Sequence, residues 1–119
     1  MPIHSEILAR FEEQNRLGGI DVRTLPPGTR LVIKTKNSTY DIEVIDGSRV
    51  TIRGGRKFSE ATECWFNGST WGGSVLRQGW VGYGMRMELA CGVTVVTSPV
   101  QSARVIGENY DYEFDWTQA

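Results

Sequence analysis

The chain's one histidine, His4, stands close to its start, and its two cysteines, Cys64 and Cys91, lie far apart, outside any CxxC or CxxH spacing. Histidine is the side chain best suited to proton transfer near neutral pH. Placed just ahead of a helix, His4 reads as solvated, which argues against a histidine-dependent catalytic site. The cysteines read as two buried thiols rather than a zinc site or a disulfide framework. The acids Asp41, Glu43, Glu60, Glu63 and Glu88 fall mostly at outer-face positions beside basic residues, as solvated ion pairs do. No enzymatic activity, metal or cofactor is therefore expected.

Binding chemistry has more candidates. The stretch RVTIRGGRK, residues 49–57, holds Arg49, Arg53, Arg56 and Lys57. On a strand Arg49 and Arg53 point the same way, about 13 Å apart, and could straddle an extended anion. From Arg23 to Lys57 there are eight basic and three acidic residues, so this part of the chain is locally positive. The competing reading is a cross-strand charge ladder in which Asp41 and Glu43 neutralise the patch.

The stretch WFNGSTWGGSVL, residues 65–76, is either a set of β-turns or a cradle for a phosphate-bearing ligand. Gly68, Gly72, Gly73, Gly79, Gly82 and Gly84 have the density of glycine expected where short strands reverse. Trp65, Phe66, Trp71, Trp80 and Tyr83 surround them and read as core packed over bare backbone. On an open face, Trp65, Trp71 and Trp80 beside the basic patch could instead stack single-stranded nucleic acid.

Two motifs carry a family resemblance. Asn67-Gly-Ser69-Thr-Trp-Gly72 has the form [DN]xSxxG and Arg49-Val-Thr-Ile-Arg53 the form RxxxR, and together they resemble the two motifs of PilZ domains, small β-barrels that bind cyclic di-GMP. The resemblance implies a ligand gripped by Arg49 and Arg53, completed by Asn67 and Ser69, with Gly72 letting the backbone come close. In that family the arginine motif precedes the first barrel strand, whereas here two predicted strands precede it.

The segment ENYDYEFDW, residues 108–116, alternates Tyr110, Tyr112, Phe114 and Trp116 with Asp111, Glu113 and Asp115. That is the pattern of a strand with one aromatic and one acidic face. It reads as a closing or edge strand whose acids keep the edge soluble. The alternative is partner binding or self-association through the four aromatics by strand addition.

The elements that would position these residues follow from length and periodicity. At 119 residues, 39% apolar and 23% charged, the chain fits a single domain, 1–119, able to bury a core. The net charge of −1 supplies no global field toward nucleic acid or anionic lipid. The polar N-terminus and the lack of a long apolar run point to the cytoplasm and to no membrane association. Ser5 can cap a helix over 5–18, with Ile7, Leu8, Phe11 and Leu17 on its apolar side and Gly18-Gly19 as its stop.

From residue 29 to 106 the period is that of strands. With Asn37-Ser38 as the loop, Leu31 faces Val44, Ile33 faces Ile42, Thr35 faces Tyr40 and Lys34 meets Asp41. A three-residue loop, Asp46-Gly47-Ser48, sets Val44 against Val50, Ile42 against Ile52 and Arg53 against Asp41. Further strands are expected at 61–66, 74–78, 80–83, 85–89, 93–97 and 100–106. The fold expected is mainly β: a small antiparallel barrel or compact sandwich of about seven to nine strands with one short N-terminal α-helix and residues 108–119 as an acidic-aromatic strand or tail. The function expected is a non-catalytic cytoplasmic binding or assembly module, with a protein partner or a second copy as its partner. A phosphate-ligand sensor and a single-strand nucleic-acid binder are the alternatives.

Overall fold

The computed structural model describes residues 4–116. The side chain of His4 and residues 117–119, the end of the predicted acidic-aromatic segment, lie outside the described residues. Helix α1 (His4–Arg16) buries Ile7 and Phe11 and half-buries Leu8. It already includes His4, so Ser5 sits within its first turn and does not cap it. Gly18, at φ 79°, ends it in the left-handed region that glycine alone adopts freely. Leu17, assigned above to the helix's apolar side, lies beyond the last turn and is 53% exposed.

A short strand that the periodicity does not announce follows. β1 (Gly19–Asp21) has its partner far along the chain in β7 (Trp80–Gly82), with Gly19 opposite Gly82 and Asp21 opposite Trp80. Gly19 makes this possible, since a Cβ there would lie 2.2 Å from the Trp80 ring.

The main sheet is built from β2 (Arg30–Thr35), β3 (Thr39–Asp46), β4 (Arg49–Gly54), β5 (Phe58–Thr70), β8 (Arg86–Ala90) and β9 (Thr94–Ile106). Every neighbouring pair is antiparallel, and the pairings run β2, β3, β4, β5, β8, β9 and return to β2. β5 and β9 close this barrel-like ring because each is 13 residues long and serves two neighbours in turn. β6 (Arg77–Gln78) adds to β5, and β10 (Asp111–Phe114) adds to β9. Ten strands result among the described residues, one more than the upper expectation; β1 is too short to read from pattern, and of the strand expected at 74–78 only the two residues of β6 form.

Inside the ring, Leu31, Ile33, Ile42, Val44, Val50, Ile52, Phe66, Met87, Leu89 and Val105 are at most 2% exposed. Burying each such side chain is worth about 1.5–3 kcal/mol. Met87 and Leu89 of β8 and Met85 just before it are buried, while Arg86 is exposed and Glu88 half-buried.

Between β3 and β4 the register is the one predicted: Val44 faces Val50, Ile42 faces Ile52 and Asp41 faces Arg53. The turn differs. Asp46 pairs with Arg49, and the extra residue is taken up between Val44 and Asp46. Between β2 and β3 the register slips by two: Leu31 faces Ile42, Ile33 faces Tyr40, Val32 faces Asp41 and Lys34 faces Thr39. The cause is a four-residue turn closed by Thr35, whose N–H and hydroxyl both donate to the Ser38 carbonyl, at 2.8 and 3.0 Å. Lys34 therefore does not meet Asp41; the Arg30 guanidinium does, at 2.6 Å.

The strands expected at 93–97 and 100–106 are one strand. Its first part pairs with β8 and its second with β2, and the Pro99 carbonyl accepts the Lys36 N–H at 2.9 Å where they join. The cysteines also require correction. Trp65 pairs with Ala90, which places Cys64 and Cys91 directly opposite each other, Cα to Cα 4.6 Å, and they form a disulfide. That separation is the spacing of a cross-strand pair and lies within the reach of a disulfide. A sequence separation of 27 residues hides this neighbourhood from any local motif.

Candidate functional site

The five residues singled out for ligand binding do not converge. Arg49 begins β4 and is held by Glu63 of β5 at 2.5 Å, a hydrogen-bonded ion pair that raises the guanidinium pKa. Arg53, four residues further along β4, is exposed and has no ion-pair partner among the described residues. The Asn67 amide donates to a Glu88 carboxylate oxygen at 3.1 Å. Ser69 is fully buried, and its hydroxyl has no hydrogen-bond partner among the described residues. Gly72 belongs to a turn organised by Thr70, whose hydroxyl accepts the Gly72 N–H at 2.9 Å and donates to the Val75 carbonyl at 2.7 Å. The stretch WFNGSTWGGSVL is thus the end of β5 followed by a hydroxyl-stapled turn. Gly68 in it lets β6 approach, since a Cβ there would lie 2.1 Å from the Arg77 carbonyl oxygen.

The acidic-aromatic segment is built into the body of the protein. Tyr110, Phe114 and Trp116 are buried and Tyr112 is half-buried. Phe11 of α1 lies 5.5–5.7 Å, centroid to centroid, from the rings of Tyr110, Tyr112 and Phe114. Edge-to-face packing of this kind adds about 0.5–1.5 kcal/mol per pair beyond burial. The Tyr110 hydroxyl is hydrogen-bonded to that of Thr29, and on the outer face Arg104 grips Asp111 at 2.6 Å, which lowers the carboxyl pKa. Tyr110, Phe114 and Trp116 thus belong to the core, and Tyr110, Tyr112 and Phe114 pack against the helix.

Of the three tryptophans considered for base stacking, Trp80 is buried and covered by the Arg77 guanidinium, 3.6 Å from its ring centroid. Trp65 and Trp71 are 55% and 73% exposed but line no common groove.

Trp71 belongs to a different surface, which the sequence reading missed. The turn after β5 and the loop after β7 together form an apolar groove of about 350 Å³ lined by Leu17, Trp71, Val75, Trp80, Tyr83 and Met85, with Gly18 and Arg77 beside them. Leu17, Trp71, Val75 and Tyr83 are 53%, 73%, 77% and 42% exposed. Each element has a local reason for its position. The Trp71 ring lies over Gly84, where a Cβ would come within 3.3 Å of it, and Trp80 rests on Gly19 and Gly82. The Tyr83 N–H donates to the Gly18 carbonyl at 2.9 Å, which ties the end of the helix to the groove wall. No carboxylate, histidine or thiol is among the lining residues. Among the described residues, no group of three or more histidine, cysteine or acidic side chains could hold a metal ion, and no helix is long and apolar enough to cross a membrane.

Compared with models of protein families, with curated proteins and with solved structures, the chain matches none.

Proposed function

We propose that the protein is a non-catalytic β-barrel binding and assembly module whose partner is a second copy of itself, joined through the Trp71 groove. The observation that carries this is the groove's exposure: four large apolar side chains, 42–77% exposed, line one concavity. Contiguous apolar surface of this kind on a small domain marks a protein-protein contact. The most exposed aromatic, Trp71, stands as a knob beside its own hole, and a two-fold axis pairs one patch with itself. The Trp71 indole of each protomer then enters the other's groove, and Arg77, already over Trp80, meets the face of the incoming ring. Stable interfaces bury about 800 Å² per partner with an apolar centre and a polar rim. The four side chains form that centre, and the exposed Arg77 and Gln78 form part of the rim.

The compartment in this proposal is an oxidising one. A disulfide between the two cysteines persists outside reducing cytosol, which weighs against the cytoplasmic location expected from the sequence. Sedimentation velocity across a wide concentration range tests the assembly. The wild-type chain is expected to shift from monomer to dimer, and Trp71→Ala combined with Val75→Ala is expected to stay monomeric with its fold intact. A monomer at every concentration, or a double variant that dimerises as well as wild type, overturns the proposal.

A further inference from the structure

A second concavity lies elsewhere and has different chemistry. It measures about 780 Å³ and is lined by the β2-β3 turn from Asn37 to Tyr40, the β4-β5 turn from Gly55 to Lys57, and Val95 to Ser98 of β9. Its two charged lining residues, Arg56 and Lys57, are both cations, and no carboxylate lines it. Lys36 lies in the β2-β3 turn, Lys34 and Arg53 lie near the ends of the strands that lead into the two turns, and all five cations are exposed.

Arg10 and Arg86 donate to the Thr24 and Thr97 carbonyls and Arg77 covers the Trp80 ring, and the other cations divide into two groups of five. Arg16, Arg23, Arg30, Arg49 and Arg104 each hold a carboxylate within 4 Å. Lys34, Lys36, Arg53, Arg56 and Lys57 have no ion-pair partner among the described residues. Asp41, which faces Arg53 across β3 and β4, is taken by Arg30 on the other side. Glu60, the acid nearest in sequence on β5, does not line the groove.

The walls are fixed before any ligand arrives. Ser98 donates its hydroxyl hydrogen to Thr35 Oγ1 at 2.7 Å and accepts the Asn37 N–H at 3.1 Å, which ties the β2-β3 turn to β9. On the other side Gly54 and Gly55 press the cationic turn against β3. A Cβ at Gly54 would lie 2.2 Å from the Thr39 carbonyl oxygen, and one at Gly55 would lie 3.0 Å from the Tyr40 ring. Preorganised donors around a concave site convert charge into affinity with little ordering cost.

From this juxtaposition of a fixed groove, hydroxyl and amide groups and five unpaired cations, we infer that the protein binds small molecules carrying two or more phosphate groups. A cavity of this volume is the size of a small-molecule site. The single aromatic residue lining it, Tyr40, is half-buried and packed edge-on near Phe58, which leaves no platform for stacking a base. Recognition therefore falls on phosphate groups rather than on a nucleobase, and small polyphosphates are favoured over nucleic acid.

The test is calorimetric titration of the full chain with inorganic tripolyphosphate at physiological ionic strength. Binding is expected for wild type, and Arg56→Gln with Lys57→Gln is expected to weaken it about tenfold or more. Arg10→Gln with Arg16→Gln removes the same net charge elsewhere and is expected to leave affinity unchanged. Should the first double variant fail to fold, Arg56→Gln alone is expected to give a smaller loss in the same direction. No binding by wild type, equal losses in both double variants, or tighter binding of a short single-stranded oligonucleotide than of tripolyphosphate each overturns the inference.

Discussion

Of the three Gly-Gly pairs in the chain, the two found where strands end, Gly54-Gly55 and Gly72-Gly73, are used differently. Gly54 and Gly55 have φ values of 126° and 61°, and Gly72 and Gly73 have 128° and 68°, so both pairs adopt backbone that other residues resist. At 54–55 the space around the glycines is also full, with the Thr39 backbone and the Tyr40 ring where a Cβ would stand. At 72–73 nothing lies within 4 Å. The first pair locks a cationic turn against a strand and shapes a polar groove. The second only turns the chain, and it leaves Trp71 and Val75 exposed. The same dipeptide thus marks a packed joint in one place and an open one in the other, and only the surroundings distinguish them.

Single substitutions separate the two reasons for glycine. Gly54→Ala meets both penalties, a backbone atom that cannot move aside and a left-handed conformation, and is expected to cost about 4 kcal/mol in urea unfolding. A loss below about 1 kcal/mol would show that the joint is not packed as described. Gly19→Ala meets a clash without a positive φ; the Trp80 ring can shift, and a loss of about 2 kcal/mol is expected, with the Trp80 fluorescence altered. Gly72→Ala meets only the conformational penalty, about 1 kcal/mol. If it costs as much as Gly54→Ala, the contrast between the turns fails. Ser69→Ala, one strand residue before that turn's Thr70 staple, removes a buried hydroxyl without a partner among the described residues and is expected to leave stability unchanged or raise it by up to about 1 kcal/mol. A clear loss would mean that this hydroxyl is bonded in solution.

The barrel was legible where side-chain alternation alone decides the outcome. Val44 against Val50 and Asp41 against Arg53 follow from it directly. The β2-β3 slip was not legible, because a shift of two residues keeps every side chain on its own face and leaves the alternation unchanged. The Thr35 and Ser98 hydroxyls that set the true register come together only in the folded chain. The disulfide has the same origin: Cys64 and Cys91 are opposite because β5 bends from β4 to β8.

The basic stretch at 49–57 holds cations in two different settings, which its sequence does not distinguish. Arg49 is neutralised by Glu63, a neighbour supplied by the strand register, while Arg56 and Lys57 at the turn stay free. For the tryptophans, sequence context was uninformative, since both Trp71 and Trp80 are next to glycine. Gly19, from a distant strand, and Gly82 shelter Trp80 on two sides, whereas Trp71 has the single shelf of Gly84. The exposed groove arises from that difference.

Self-association through the groove is tested most directly by isotope-filtered NMR on an equimolar mixture of labelled and unlabelled chains. Intermolecular contacts are expected from the Trp71 indole protons of one chain to the methyl groups of Leu17 and Val75 and to the Tyr83 ring of the other. Their absence at concentrations where the protein is dimeric, or their replacement by contacts from Trp65 and Val93, would contradict the assembly described here.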